Sequence, residues 1–256
     1  MIFLTKIPMN REIRRATDNE IEYYSELEKY FKSSVGSLLD KISNFSKFVP
    51  RQDLSKFIAK YEIFKKVLHI HGSIIECGVL LGGGLMTFAQ LSSILEPVNH
   101  QRKIIGFDTF SGFPTIGKSD AKSTSEFAHE GGLAVNSYDD LKESIRLYDK
   151  NRFLNHVSKV ELVKGDITVT VPQFLKENPH TIVSLLYLDA DVYEPTKVAL
   201  DNFLPRMPKG SIIAFDELNA KSFVGETLAA IEAIGINKIK IERFPFEPGK
   251  CYAVLD

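Results

Sequence analysis

From residue 73 onward, short apolar runs alternate with amphipathic segments of helical periodicity. The runs are "SIIECGV", "KIIGFDTF", "KVELVKGD", "TIVSLLYLDAD" and "GSIIAFDE". Their apolar residues are consecutive rather than alternating, which is typical of strands covered on both faces. Such strands separated by helices of about 10 to 15 residues predict crossover units and a parallel sheet.

The last part of the chain has a different pattern. The segments "NKIKIERFPF" and "KCYAVLD" predict two further strands, with "EPGK" as the turn between them. A tight connection requires the two strands to be antiparallel. We therefore expect an α/β fold whose mostly parallel sheet ends in a carboxyl-terminal antiparallel hairpin.

The amino-terminal region, residues 18–70, has apolar residues at mixed three- and four-residue spacing, which predicts helices. Asp18 or Asn19 is the expected cap of the first helix, and Pro50 marks a break before the second. We therefore predict a helical extension over residues 1–70 and a main domain over residues 71–256.

A long polar, glycine-rich segment interrupts the alternation between the second and third predicted strands. Long connections in compact domains are usually lids or binding loops. We predict a lid-like insertion at about residues 110–138, followed by a helix in "YDDLKESIRLYDKNRFLNH".

Composition narrows the classes of function. The chain has 256 residues, a net charge of -1 and two cysteines. The balanced charge gives no support for binding to nucleic acid or to a membrane surface. The few cysteines are typical of a reducing cytoplasm, and the start "MIFLTKIPMNREIRR" has too short an apolar stretch for a signal peptide.

Acidic residues follow every predicted parallel strand, at the edge where ligands bind in open α/β sheets. They are Glu76, Asp108, Asp166, Asp189, Asp191, Asp216 and Glu217. Buried like charges are costly unless a cation, or a proton to be moved, balances them. This repetition indicates a site, although aspartate also favours ordinary turns.

The loop after the first strand favours one class of cofactor. It contains Gly78 and Gly82 but lacks the full glycine fingerprint of dinucleotide-binding proteins and the lysine of a phosphate-binding loop. The acids suit an adenosine ligand with a cationic tail. Asp108 would accept the ribose hydroxyls, Asp166 the adenine amino group, and Glu76 would favour an ammonium. These groups are those of S-adenosylmethionine.

Five motifs in order, "IIECGVLLGGG", "GFDTFSGFP", "KGDI", "LYLDADVYEPTKVAL" and "GSIIAFDE", resemble the macrocin-type sugar O-methyltransferases. The resemblance runs from about residue 51 to the end and implies a class I methyltransferase fold with a Rossmann-like sheet. It implies cofactor contacts by Gly78, Gly82, Thr109, Phe110 and Asp189, together with Glu76, Asp108 and Asp166. Leu80 replaces the middle glycine of the wider class.

The resemblance also implies a Mg²⁺ site at Asp189, Asp216 and Glu217. Either Asp189 or Asp191 would take the proton of the acceptor hydroxyl. This site would resemble that of catechol O-methyltransferase, which has a lysine three residues after its first acid. Val192 stands at that place here, so a lysine base there is excluded. We expect the acceptor to be a nucleotide-linked or glycoside-linked deoxysugar, and the helical extension suggests a homodimer.

Other interpretations remain open at this stage. Asp191 would merely cap the next helix, Phe110 would pack on the core, and Cys77 would be a buried apolar residue. A methyltransferase for a small non-sugar acceptor is the main alternative function. A nicotinamide-dependent oxidoreductase is less favoured, because the glycine fingerprint and a sixth parallel strand are missing.

Overall fold

The computed structural model describes residues 16–256, and a seven-stranded sheet forms its centre. The strands follow the order β3-β2-β1-β4-β5-β7-β6 across the sheet. Their bounds are β1 Ser73–Cys77, β2 Ile104–Asp108, β3 Val160–Lys164, β4 Val183–Leu188, β5 Ile212–Phe215, β6 Ile241–Phe244 and β7 Glu247–Val254. All five expected apolar runs form strands.

The pairing of the strands confirms the predicted fold class. Strands β1 to β5 pair in parallel, whereas β7 pairs antiparallel with both β5 and β6. The predicted position of the hairpin turn is wrong. Residues 245–246 form the turn, and "EPGK" lies inside β7. Glu247 pairs with Phe244 across a register shift, so the strand begins earlier than its proline and glycine suggest.

Helices connect the strands. Their bounds are α1 Asp18–Ser33, α2 Leu38–Ser43, α3 Arg51–Val67, α4 Gly83–Leu95, α5 Tyr138–Lys150, α6 Ile167–Glu177, α7 Tyr193–Phe203 and α8 Gly225–Ala233. The first cap differs from the prediction, because Thr17 occupies it and forms a capping box with Glu20. The chain also breaks before α2, where Gly36 has a φ of 103°.

The chain divides into two compact units, and the division falls between Leu54 and Ser55 inside α3. The predicted boundary at residue 70 stays a prediction. The expectation about a signal peptide concerns residues 1–15, which lie outside the described residues. A membrane-spanning segment requires a long, continuously apolar helix, and the part of the chain that the structure describes contains none.

Each face of the sheet has its own apolar core. On one face, Ile74 and Leu185 belong to a buried cluster with residues of α3 and α4, including Phe64 and Phe88. On the other face, the next residues along the strands pack with α6, α7 and α8. The period-two alternation of strand side chains separates the two clusters. Covering both faces fixes the sheet and presents the carboxyl ends of β1, β4 and β5 together.

A buried arginine holds the opposite, amino-terminal edge of the sheet. Arg102 is 3% exposed, and its Nε lies 2.9 Å from Glu96. Its Nη atoms donate to the carbonyls of Val67, Ile70 and Gly72 and to the Ser184 hydroxyl. One guanidinium therefore joins the end of α3 to the starts of β1 and β4.

We expect Arg102→Lys to destabilise the protein strongly. Lysine lacks the planar fork of five donors, so several buried carbonyls and Glu96 would lose partners. The free energy of unfolding should fall by about 3–5 kcal/mol, measured by urea denaturation. Arg146→Lys is the matched control, because Arg146 pairs with Glu143 in solvent. Equal stability of both variants would contradict this role of Arg102.

Candidate active site

The loop after β1 lies directly against the chain that leaves β4. Gly78 has a φ of 91°, and a Cβ there would stand 1.9 Å from the carbonyl oxygen of Asp189. The Asp189 N–H in turn donates to the Cys77 carbonyl over 2.8 Å. Only glycine fits this approach. The predicted cofactor loop and the predicted acids are therefore in contact through their backbones.

Asp108, at the end of β2, organises this loop. Its Oδ2 accepts the N–H groups of Val79 and Leu80 at 2.6 and 2.9 Å, and its Oδ1 accepts that of Phe110 at 2.6 Å. A carboxylate offers about four acceptor sites, so three backbone bonds leave little capacity for other donors. Its predicted contact with ribose hydroxyls stays a prediction.

Leu80, which stands at the place of the middle glycine, adopts a backbone conformation that glycine favours. Leu80 has a φ of 51°, in the left-handed region that favours glycine. Its carbonyl accepts the hydroxyl of Ser137, and Gly82, with a φ of 81°, occupies the N-cap of α4. The surrounding structure therefore holds a leucine where the wider class has glycine.

The remaining cofactor candidates follow β2 and β3. Thr109 donates its hydroxyl to the Gly112 carbonyl over 2.7 Å. Phe110 is 3% exposed and packs against Tyr138, with ring centroids 5.2 Å apart, which favours its interpretation as a core residue. Asp166 caps α6 through Oδ1, which accepts the Thr168 N–H over 2.8 Å.

Glu76 is buried within β1 and is 1% exposed. Its Oε2 has no hydrogen-bond partner among residues 16–256. Burial raises the pKa of this carboxyl well above its usual value, although the charge of Lys60 opposes the shift. An unpaired buried carboxyl oxygen is energetically costly. Glu76 is therefore suited to accept a hydrogen bond from a bound ligand.

The acids after β4 and β5 form one cluster. Asp191 is 8% exposed and has a φ of 62°, an uncommon conformation for aspartate. Val192 occupies the N-cap of α7, so the interpretation of Asp191 as a helix cap is wrong. Strained backbone of this kind is concentrated at functional sites. The structure brings Asp189, Asp191, Asp216 and Glu217 together electrostatically, since the charges of Asp189, Glu217 and Asp216 all raise the pKa of Asp191.

Both carboxylate oxygens of Asp216 have protein partners. The Tyr187 hydroxyl donates to Oδ1 over 2.7 Å, and the Lys250 ammonium pairs with Oδ2. Lys60 donates to the Tyr187 hydroxyl over 2.9 Å, and its Nζ lies 4.0 Å from the centre of that ring. A continuous polar chain therefore runs from α3 through β4 to β7.

These contacts divide the cluster into charged and readily protonated members. Burial alone would raise the pKa of Asp216, but Lys250 and Lys60 outweigh burial and lower that pKa to about 2. Burial and the Asp216 charge raise the pKa of Asp189 to about 7. Burial, followed by the charge of Asp189, raises the pKa of Asp191 well above its usual value. The charged form is therefore favoured more strongly at Asp216 than at Asp189 and Asp191, whose raised pKa makes them candidates for accepting a proton.

Sequence reasoning missed four residues of this cluster: Lys60, Tyr187, Glu226 and Lys250. Lys60 lies one residue from Ala59 and four from Phe64, both fully buried on the apolar side of α3. Phe215 pairs with Cys251, and the same antiparallel register places Lys250 opposite Asp216. Lys60 could have been predicted, because a lysine within the apolar side of a helix is unusual. Lys250 could not, because the sequence does not specify the register of the hairpin.

Glu226 supports the second acid of the pair after β5. It is fully buried, and its Oε1 accepts the Glu217 N–H over 3.0 Å. Its Oε2 has no hydrogen-bond partner within the described chain. Burial and the charge of Asp216 raise the pKa of Glu226. The side chain of Glu217 accepts the Ser222 hydroxyl over 3.0 Å.

The donor chemistry of the cluster suits a hard divalent cation, which prefers carboxylate oxygens. Among residues 16–256, no group of three or more histidine, cysteine, aspartate or glutamate side chains is already arranged to hold a metal ion. The Lys250 ammonium pairs with one oxygen of Asp216, which is a predicted ligand. The residue types therefore fit a divalent cation, but one predicted ligand already has a cationic partner.

The insertion at 110–138 is held next to this cluster. Asp120 is 3% exposed, and its Oδ1 accepts the Tyr193 N–H at the start of α7 over 3.0 Å. Backbone bonds join Thr124 to Lys221 and Ser125 to Ser222. These contacts connect the insertion to the segments that follow Asp191 and Glu217.

A comparison with models of known protein families shows which family the chain belongs to. Residues 50–236, more than half of its length, match the family model described as macrocin-O-methyltransferase, TylF. The chain belongs to this family. The predicted resemblance is thereby confirmed, and the family's name agrees with an O-methyltransferase.

Individual relatives support the same assignment. The chain is 33% identical to CalS11, described as a calicheamicin methyltransferase, with a TM-score of 0.89 over 97% of this chain and 98% of that one. An apo structure of CalS11, described as a TDP-rhamnose 3'-O-methyltransferase, shares 32% identity with a TM-score of 0.81, covering 95% of this chain and 99% of that one.

A curated relative from Streptomyces olivaceus matches a shorter stretch. It is named 8-demethyl-8-(2,3-dimethoxy-alpha-L-rhamnosyl)-tetracenomycin-C 4'-O-methyltransferase and is 25% identical over 151 residues. The match spans 58% of this chain and 53% of the relative, about half of its length. The O-methyltransferase NovP, 20% identical with a TM-score of 0.61 over 78% of this chain and 79% of that one, shares the fold.

We expect Gly78→Ala to damage the loop, because the new Cβ would collide with the Asp189 carbonyl at a φ of 91°. The free energy of unfolding should fall by at least about 2 kcal/mol in thermal or urea denaturation. Gly83→Ala is the matched control, since no atom lies within 4 Å of its added Cβ. A Gly78→Ala variant as stable as Gly83→Ala would refute the close contact.

Proposed function

We propose that the protein is an S-adenosylmethionine-dependent enzyme that methylates a hydroxyl of a sugar, with a nucleotide-linked deoxysugar as the acceptor. The observation that carries this proposal is the contact between the glycine loop and the acid cluster at Gly78 and Asp189. It places groups that can take a proton beside the expected cofactor loop. Family membership and the sugar acceptors in the names of two relatives support the same reaction.

The cofactor would bind along the carboxyl ends of β1 and β2. Gly78 and Gly82 let the backbone approach it closely, and the unpaired Oε2 of Glu76 suits its ammonium. The ribose and adenine would lie beside Asp108, Thr109 and Phe110, which hold the loop in its conformation. Asp166 would accept a hydrogen bond from the adenine amino group. Asp189, whose backbone contacts the loop at Gly78 and Cys77, would also contact the cofactor.

Mg²⁺ is the proposed second cofactor, held by Asp189, Asp216 and Glu217. Bound there, it would supply Lewis-acid chemistry that lowers the pKa of an acceptor hydroxyl. In the transfer itself, the acceptor oxygen forms a bond to the methyl carbon as the bond from sulfur breaks. The hydroxyl proton passes to a carboxylate oxygen of Asp191 or Asp189, and S-adenosylhomocysteine leaves.

Asp191 is our first choice for the base. Asp191 is buried, the pKa of its carboxyl is raised, and its backbone is in the left-handed region. Asp189 is more exposed and is also a proposed metal ligand, so it can serve both purposes. A non-sugar acceptor is the alternative, whereas the two antiparallel strands in place of a sixth parallel one disfavour an oxidoreductase.

Three expectations remain predictions. The insertion at 110–138 is proposed to cover the acceptor, since it is joined to segments beside the cluster. A homodimer is proposed because α2 and its flanks expose the apolar side chains of Val35, Leu38, Leu39, Ile42 and Phe45. A cytoplasmic location follows from the cysteine content alone.

The proposed reaction predicts methyl transfer to a nucleotide-linked sugar. The purified chain, with methyl-labelled S-adenosylmethionine and Mg²⁺, should label TDP-rhamnose well above free rhamnose, and a chelator should abolish labelling. The measurement is mass spectrometry of the acceptor, with a catechol as the non-sugar comparison and a rhamnosylated aromatic aglycone as the glycoside comparison. Labelling of the catechol alone would contradict the sugar acceptor, and full labelling in chelator would contradict the metal.

Asp191→Asn should lower kcat by about 10²–10⁴-fold, because the amide cannot accept the hydroxyl proton. S-adenosylmethionine affinity, measured by calorimetry, should stay within about twofold, since Asp191 is not assigned to the cofactor. Asp201→Asn, at an exposed acid of α7, is the control and should keep full turnover. Normal kcat in Asp191→Asn, together with loss in Asp189→Asn, would transfer the role to Asp189.

A further inference from the structure

A protein cation already lies within the acid cluster. Lys250 enters it from β7, where the register places it opposite Asp216. Its side chain is 7% exposed and that of Asp216 is 12% exposed. The ammonium pairs with Oδ2 of Asp216, so this contact is largely removed from solvent. A buried ion pair of this kind is hydrogen-bonded and strongly oriented.

The other oxygen of Asp216 is held equally firmly. Tyr187 is fully buried and donates to Oδ1, while Lys60, 7% exposed, donates to the tyrosine hydroxyl. Asp216 is therefore fixed by β4, β7 and α3 at once. A divalent cation that used Asp216 would have to share a carboxylate whose two oxygens have partners.

Electrostatics makes Lys250 a competitor for that carboxylate. Two positive groups bound to one carboxylate would lie within a few ångströms of each other and repel. Without Lys250, however, Asp216 would face Asp189, Asp191 and Glu217 with only its tyrosine hydrogen bond and the charge of Lys60, which makes no direct bond to it. The lysine stabilises the cation-free cluster and opposes the ion that would replace it. Its long flexible stem allows the ammonium to leave without moving the backbone.

We propose that Lys250 is a positioning residue that balances the charge of Asp216 in the cation-free protein and is displaced when a divalent cation binds. It thereby weakens that cation's binding and keeps it exchangeable. This inference rests on the proposed function, since it concerns the same metal ligands. Under this proposal, a residue of β7 that is not a metal ligand controls the affinity for the metal.

The test measures metal binding directly. Mn²⁺ is titrated into the cation-free full-length protein, free Mn²⁺ is followed by its electron paramagnetic resonance signal, and Mg²⁺ is then used as competitor. Lys250→Met removes the charge at nearly constant side-chain length and should bind Mn²⁺ at least tenfold more tightly than the unaltered chain. Its cation-free melting temperature should fall, and saturating Mn²⁺ should restore more of it than in the unaltered chain.

Two further variants make the outcome decisive. Lys176→Met removes the same charge from an exposed position on α6 and should leave the Mn²⁺ affinity within twofold. Lys250→Gln keeps a donor for Asp216 without the charge, and it replaces Lys250→Met if that variant does not fold, as judged by circular dichroism. Tighter binding in the one of these two variants that is used, Lys250→Met if it folds and Lys250→Gln otherwise, supports the proposal.

Failures of the two proposals are distinguishable. Equal or weaker Mn²⁺ binding in a folded Lys250 variant, with clear binding by the unaltered chain, overturns the role of Lys250 but leaves the metal site standing. The absence of binding in every variant at millimolar Mn²⁺ overturns both. Sugar methylation is judged separately by labelling of the acceptor.

Discussion

The arrangement at the carboxyl edge of the sheet depends on balancing the charge of Asp216. Four acids that follow β4 and β5 converge there, and Lys60 and Lys250 supply the opposing charge in the cation-free chain. This balance requires side chains from α3, β4, β5 and β7 to meet in one place. The carboxyl-terminal hairpin therefore contributes to the site as well as covering the edge of the parallel sheet.

Stability and chemistry are placed at opposite ends of the same strands. The amino-terminal edge is joined by Arg102, whose donors are all satisfied by backbone, Ser184 and Glu96. The carboxyl-terminal edge contains Glu76 and Glu226, each with an unpaired buried oxygen, and Asp191 in a strained conformation. Unpaired buried oxygens and strained backbone both destabilise the fold, and they persist only when the rest of the structure offsets their cost.

Most of the fold was accessible from the sequence, because consecutive apolar residues fixed the strands and their alternation with helices fixed the pairing. The glycine run at 82–84 likewise located the start of α4, whose helix begins at Gly83. The turn at 245–246 was missed since its residues lack a strong turn signal, while Pro248 and Gly249 next to it have one. The acids were found because they follow strands. Lys250 was not, since its meeting with Asp216 depends on a pairing register that composition does not specify.

Leu80 has a consequence for how relatives of this chain are recognised. The loop requires a left-handed backbone at this residue, and a leucine adopts it while Asp108 accepts its N–H and Ser137 binds its carbonyl. In this chain the loop therefore depends on the left-handed backbone at residue 80 and not on a glycine there. A search pattern that demands glycine at this place would pass over this chain, whereas one written on the neighbouring acid and strand would retain it.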